Sequence, residues 1–102
     1  MGPIQFAADI TADIEAINPV SVFPRDAEAV YAVYPFNGME KGLDFTAVWY
    51  KNGVELVRDE SEWQFGDEAR SYSFMVPRGV GLYKLELYVN DSILATSLFE
   101  IR

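Results

Sequence analysis

The dipeptide Asn52-Gly53 is the feature that most constrains the fold of this 102-residue chain. It stands between two runs rich in apolar residues, Asp44–Lys51 and residues 54–59. A two-residue type I′ turn needs a positive φ at both central positions, and Asn followed by Gly adopts that geometry readily. The sequence therefore predicts a tight β-hairpin. Counting outward from the turn places Trp49 opposite Leu56, on a face that we expect to be the inner one.

Turn signals divide the rest of the chain into short apolar runs of strand length. The further predicted strands are residues 4–10, 28–34, 69–76, 82–89 and 93–101. Residues 11–18 are the one segment where a helix of at most two turns competes, since isoleucines recur there at helical spacing. Pro35 is placed at the end of its strand because a proline cannot donate to the ladder. Seven or so strands without a long helix predict an all-β sandwich of two antiparallel sheets, formed as one domain over residues 4–102.

The alternation of side chains predicts two faces for each strand. In residues 4–10, the even positions from Ile4 to Ile10 are predicted to be buried. The buried set of residues 82–89 is Tyr83, Leu85, Leu87 and Val89. Residues 69–76 carry Tyr72, Phe74 and Val76 on one side and Ser71, Ser73 and Met75 on the other.

The final hairpin turns at Asn90-Asp91-Ser92, with either two or three residues in the turn. A slip of one residue would send every side chain of the last strand to the opposite face. The three-residue turn is favoured because it buries Phe99 and Ile101.

Trp49 and Tyr83 stand in patterns that resemble immunoglobulin-like domains. Trp49 lies just before the Asn52-Gly53 hairpin, as the core tryptophan does on the third strand of such domains. The run Gly81-Leu82-Tyr83-Lys84-Leu85 resembles their tyrosine corner. This resemblance implies a hydrogen bond from the Tyr83 hydroxyl to a backbone group just upstream.

A longer succession of short motifs runs from about Phe6 to the end of the chain. It comprises Phe23-Pro24, Val30-Tyr31-Ala32, Gly38-Met39, Trp49-Tyr50-Lys51-Asn52-Gly53, Trp63 followed by Gly66, the stretch from Gly81 to Val89, and Phe99-Glu100-Ile101. This succession resembles an accessory module of bacterial multidomain proteins, often found at the C-terminus after trypsin-like protease or kinase domains. The resemblance implies a non-catalytic module of a secreted or cell-surface protein. Leu85 stands where antibody domains carry a disulfide cysteine, so packing against Ala32 or Val33 would replace the disulfide.

The chain contains neither histidine nor cysteine, which excludes Ser-His-Asp and Cys-His catalysis and thiolate metal sites. Paired carboxylates remain as conceivable acid–base catalysts or calcium ligands. The candidates are Asp59, Glu60, Glu62, Asp67 and Glu68, with Asp26, Glu28 and Asp91 added for calcium. A solvated acidic edge accounts for them better, because no spaced calcium loop is present. We expect no catalysis, no bound metal and no cofactor.

The formal net charge of −8 argues against two classes of partner. Such a charge repels both phosphate backbones and anionic lipid surfaces. No apolar stretch approaches the roughly 20 residues of a membrane helix. We therefore expect neither a nucleic acid nor a membrane partner.

Four aromatic side chains are candidates for contact with a ligand or partner: Tyr31, Tyr50, Trp63 and Tyr88. Exposed aromatics allow β-sandwich modules to stack on sugar rings or to anchor protein partners. Trp63 could instead close one end of the core.

These observations favour a non-catalytic accessory module that contacts a protein partner or neighbouring domains of the same polypeptide. The rival hypotheses are a carbohydrate-binding module, the non-catalytic domain of a secreted serine protease and, with the least support, a small protease inhibitor.

Overall fold

A computed structural model describes residues 4–37, 42–63 and 68–102, of which 35–37 and 68–70 are described by backbone alone. Within these ranges the chain forms eight strands: β1 Gln5–Ala7, β2 Val22–Phe23, β3 Val30–Asn37, β4 Asp44–Lys51, β5 Val54–Glu62, β6 Glu68–Met75, β7 Gly81–Val89 and β8 Ser92–Ile101. Gly38, Met39, Gly66 and Asp67, together with most of the predicted loop 37–42, lie outside them. No helix in the described part of the chain is long and apolar enough to cross a membrane.

The strands form a three-stranded sheet of order β1-β3-β6 and a five-stranded sheet of order β2-β8-β7-β4-β5. All pairings are antiparallel except that of β2 with β8. Trp49 on β4 and Leu85 on β7 lie directly opposite each other in the middle of the larger sheet, and both are fully buried. This strand order, with a tryptophan at the core centre, is that of an immunoglobulin-like sandwich. The predicted fold class is confirmed.

Phe99 on β8 lies at the centre of the core. Its ring centroid is 4.7 Å from that of Phe6, 5.0 Å from that of Tyr83 and 6.1 Å from that of Trp49. Tilted and stacked rings at these distances add to the free energy gained from burying their area. Aromatic side chains from both sheets thus join the two layers without a covalent link.

The hairpin of β4 and β5 has the predicted turn, with φ of 49° at Asn52 and 84° at Gly53. However, Trp49 lies opposite Val57 rather than Leu56, so the predicted Trp49–Leu56 pair is wrong. A β-bulge beyond Tyr50 inserts one extra residue into β5 and shifts the register. Leu56 still packs against the core, half-buried.

The hairpin of β7 and β8 also combines a two-residue turn with a β-bulge. Val89 lies opposite Ser92, so the turn contains two residues, and the predicted three-residue turn is wrong. Asn90 and Asp91 both have positive φ, 48° and 69°. A bulge between Leu87 and Tyr88 then restores the register that a three-residue turn would have produced. For that reason Phe99 and Ile101 are buried as predicted.

The N-terminal segment departs from the predicted strand over residues 4–10. Strand β1 ends at Ala7, which is buried, while Ala8 is exposed, so the predicted alternation fails there. Residues 11–18 form no helix. The Thr11 Oγ1 accepts hydrogen bonds from the backbone N–H of Asp13 and Glu15, and Ile14 has a positive φ of 58°. These local bonds satisfy the backbone in a turn instead of a helix.

Two other elements differ from prediction. Strand β3 runs through Pro35 to Asn37 instead of ending at the proline. Strand β1 pairs with residues 31–33 of β3 and does not reach Pro35. The proline therefore does not have to donate a hydrogen bond to β1, which its missing N–H could not do. The two-residue strand β2 was not predicted, because its only partner is β8, far away in sequence.

Candidate functional site: strand β6 and the cleft beside it

Strand β6 is inverted relative to the usual pattern of a half-buried strand. Tyr72 and Phe74 are 43% and 52% exposed. Ser73 faces the core instead, directly opposite buried Ala32, and Met75 is buried as well. The apolar rings therefore point to solvent and the serines point inward.

Buried polar groups explain the inward serines. The Trp49 indole Nε1 donates a hydrogen bond to the Ser73 Oγ at 3.3 Å. The Tyr34 hydroxyl, which is buried, interacts with the hydroxyls of Ser71 and Ser73. Burial raises the pKa of Tyr34 well above its ordinary value. An indole N–H and a phenol both need partners once buried. Ser73 provides one for Trp49 across the two sheets, and Ser71 and Ser73 provide them for Tyr34 from the neighbouring strand of the same sheet.

On the opposite side of β6, three rings form what we call the outer aromatic face, defined as Tyr31, Tyr72 and Phe74. The Tyr31 and Phe74 rings are directly opposite across β3 and β6 and stack, with centroids 5.4 Å apart and an interplanar angle of 28°. The Tyr72 ring centroid lies 6.2 Å from that of Tyr31. Of the predicted contact residues, Tyr31 belongs to this face.

An open cleft of about 470 Å³ lies where the edges of the two sheets approach each other. Strand β5 is the last strand of the larger sheet and β6 the last of the smaller one. The cleft is lined by apolar side chains of the core and by both edges: Tyr34, Phe45, Ala47 and Trp63, with Asp59, Ser61 and Glu62 from β5 and residues 71–74 from β6. Its floor is therefore apolar and its rim polar.

The acidic side chains of β5 that were considered as a cluster lie on different faces of the strand. Asp59 lies opposite buried Ala47 and faces the cleft, whereas Glu60 lies opposite Thr46 and points to the other face. Within the described ranges, no three acidic side chains gather into a group that could hold a metal ion. What the arrangement provides is negative charge along one wall of the cleft.

Trp63 is 3% exposed and packs against Phe45, with ring centroids 5.5 Å apart. It closes one end of the core and forms part of the cleft floor.

Tyr50 and Tyr88 lie together on the outer face of the larger sheet. The Tyr88 hydroxyl donates to the Glu86 Oε1 at 2.9 Å, and Tyr50 also donates to Glu86. These hydrogen bonds raise the pKa of Tyr50 to about 12 and raise that of Tyr88. Partial burial raises the pKa of Glu86, but the two phenols and Lys84 outweigh it, so the pKa is lowered. The predicted contact residues thus occupy three separate places on the molecule.

The predicted tyrosine corner is present. The Tyr83 Oη donates to the Gly79 carbonyl at 2.7 Å and accepts from the Arg78 N–H at 2.9 Å. The first hairpin is attached to this corner, since the Asn52 Oδ1 accepts from the Leu82 N–H at 3.0 Å. Gly81 has a φ of 154°, and a Cβ there would lie 3.1 Å from the Asn52 side chain, so glycine permits this close approach.

Sequence reasoning missed Tyr72 and Phe74 as candidate contact residues. The alternation along residues 69–76 separates an aromatic side from a serine side. The aromatic side, with Tyr72, Phe74 and Val76, carries the larger apolar surface, which was the available signal.

The fold and this site define an immunoglobulin-like β-sandwich with a cleft between the edge strands β5 and β6. No protein-family model matches the chain, and no curated protein matches it either.

Proposed function

We propose that this chain is a non-catalytic protein-interaction module and that its outer aromatic face is the contact surface. The observation that carries the proposal is the inversion of β6. A strand that exposes two large rings while it buries serines departs from the pattern that hydrophobicity alone favours, and it leaves apolar rings on the surface of the kind that mark interaction sites. Tyrosine and other large aromatics are also enriched where proteins bind one another.

The residue types support a binding role over a catalytic one. None of the described acidic side chains is buried, and some pair with arginine on the surface, as Glu55 does with Arg58 at 3.0 Å. A general acid needs a carboxyl group in a desolvating pocket that raises its pKa. Glu86, a carboxylate with several hydrogen-bond partners, has its pKa shifted in the opposite direction.

A displayed library of random peptides tests this function directly. The wild-type chain is compared with the double variant Tyr72→Ser/Phe74→Ser and with Leu82→Ser, a matched control. Leu82 is also 52% exposed, but it lies on the larger sheet. We expect peptides that bind the wild type and Leu82→Ser and lose binding to the double variant. Equal selection by all three proteins, or no selected peptide, would contradict the proposal.

Carbohydrate binding is the second candidate function, favoured by the stacked Tyr31 and Phe74 rings on a sheet face. Sugar rings stack on such aromatic surfaces. A glycan array probed with the wild type and with Tyr72→Ala distinguishes the two functions. Selective binding of one glycan class, lost in Tyr72→Ala, would replace a protein partner with a sugar.

A third hypothesis makes the chain the non-catalytic domain of a secreted serine protease. It would then have the same binding role, and the protease activity would belong to another domain of the same polypeptide. Assayed alone it would then be inert toward peptide substrates.

A further inference from the structure

We infer that the cleft between β5 and β6 receives an extended basic segment of a partner polypeptide, which adds a strand to the free edge of β6. The inference rests on the proposed function and specifies its partner: a segment with apolar side chains at alternate positions and lysine or arginine among the others.

The first argument is the lack of protection on β6. Natural edge strands are shielded by charged side chains, prolines, bulges or short length. Strand β6 has eight residues and pairs with β3 without a register shift. Residues 71–75 of the strand, Ser-Tyr-Ser-Phe-Met, include neither a charge nor a proline; the two charged residues of β6, Glu68 and Arg70, precede residues 71–74, which line the cleft. Among the described residues, no strand pairs with the side of β6 that faces away from β3.

The facing edge provides a contrast. Residues 58–60 of β5 are Arg, Asp and Glu, and the Arg58 guanidinium lies 4.0 Å from the Glu60 carboxylate. That edge has the charges that discourage pairing. Of the two edges that border the cleft, β6 is therefore the one that can accept a strand.

The second argument is the shape of the cleft. Four consecutive residues of β6, 71–74, line it. Because neighbouring residues of a strand point to opposite faces, it is the edge of β6 itself that borders the cleft. An added strand would send its basic side chains inward, where Asp59 lines the cleft, and its apolar ones outward beside Tyr72 and Phe74. One occupant would thus use both the cleft and the outer aromatic face.

The third argument is charge. Asp59 and Glu62 line the cleft, and the chain as a whole carries a net charge of −8. Complementary charge steers a basic segment toward this edge and repels acidic ones. It also disfavours a second copy of this chain, since that copy would bring the same acidic edge.

The probe is a synthetic peptide in which valine alternates with lysine, with its length matched to the eight residues of β6. The control has the same composition, with the valines in one block and the lysines in another. Titration is followed by amide chemical shifts and hydrogen exchange of the intact chain. We expect the alternating peptide to shift the amides of Ser71 to Phe74 and to protect those alternate amides that point to the free edge, and the block peptide to bind at least severalfold more weakly. Equal binding of the two peptides, or no binding of the alternating one, overturns the inference.

Backbone methylation tests strand addition itself. A strand directs the N–H groups of alternate residues to opposite edges. Methylating one alternate set of peptide nitrogens should abolish binding, and methylating the other set should leave it largely intact. If the two methylated peptides weaken binding equally while the amide chemical shifts of Tyr72 and Phe74 still change, the interaction surface is retained and strand addition is wrong. If no peptide binds and the library selection also fails, both proposals are wrong.

Charge is tested by Asp59→Asn, with Glu60→Gln as the matched control on the other face of β5. Asp59→Asn should weaken binding of the alternating peptide by about two- to fivefold, the range for an exposed ion pair. Glu60→Gln should have a smaller effect. An equal effect of the two substitutions would show that the peptide senses only net charge and would contradict seating in the cleft.

Discussion

The substitution Tyr83→Phe gives the sharpest test of the fold. It removes one hydroxyl and leaves the buried ring, which stacks on Phe99, in place. Two hydrogen bonds are lost, one to the Gly79 carbonyl and one from the Arg78 N–H. A hydrogen bond contributes about 0.5–1.5 kcal/mol net, so the two together contribute about 1–3 kcal/mol.

The solvent exposure of the two backbone partners narrows the expected loss of stability. Arg78 and Gly79 are exposed residues, so water can reach this corner and partly replace the lost partners. We therefore expect Tyr83→Phe to lower the free energy of unfolding by about 1–2 kcal/mol.

Urea unfolding followed by tryptophan fluorescence measures this change, since both tryptophans are buried. The dependence of the free energy on urea should stay the same, because the unfolded surface hardly changes. Tyr88→Phe is the control on the same strand, and the Tyr88 hydroxyl contacts Glu86 and Tyr50 on the outer face of the sheet. A loss below about 0.5 kcal/mol for Tyr83→Phe, or one equal to that of Tyr88→Phe, would refute the structural role of the corner.

Two further predictions concern the core and the outer face of the larger sheet. Trp49→Ala should lower the free energy of unfolding by about 3–5 kcal/mol, because it removes a fully buried indole between the sheets, and urea unfolding measures it; a loss near that of an exposed position would contradict the packing. Glu86 has a folded-state pKa below its ordinary value of 4.5, so the stability that it contributes is complete above that pH and is lost as the pH falls below it. The difference in free energy of unfolding between the wild type and Glu86→Gln should therefore shrink on acidification, and a difference independent of pH would refute the hydrogen-bonded arrangement.

Local sequence determined the turns but not the pairing beyond them. Asn52-Gly53 was recognisable because positive φ is costly for most residues and inexpensive for these two. The β-bulges have no comparable sequence signature; their extra residues are Leu56 in β5 and Leu94 in β8. Each bulge arises because a two-residue turn sets one register and the packing of the core requires another. The turn of the last hairpin was therefore predicted wrongly, while the burial of Phe99 was predicted correctly.

The site shows the same division between local and non-local information. Alternation along residues 69–76 separated an aromatic side from a serine side, and hydrophobicity alone would bury the aromatic one. The structure buries the serines because Trp49 and Tyr34, on other strands, bring polar groups into the core that need partners. Those partners become known only when the sheets are assembled.

This dependence also links the stability of the module to its binding surface. The Trp49 indole fixes the inward direction of Ser73, and by the alternation of a strand it fixes the outward direction of Tyr72 and Phe74. If β6 slipped by one residue, the rings would be buried and both the indole N–H and the Tyr34 hydroxyl would lose their serine partners. Leaving two buried polar groups without those partners costs about 1–3 kcal/mol each, which opposes the free energy that a strand gains by hiding half-exposed rings from water. The polar contacts of the core therefore keep the aromatic face on the outside, where a partner can reach it.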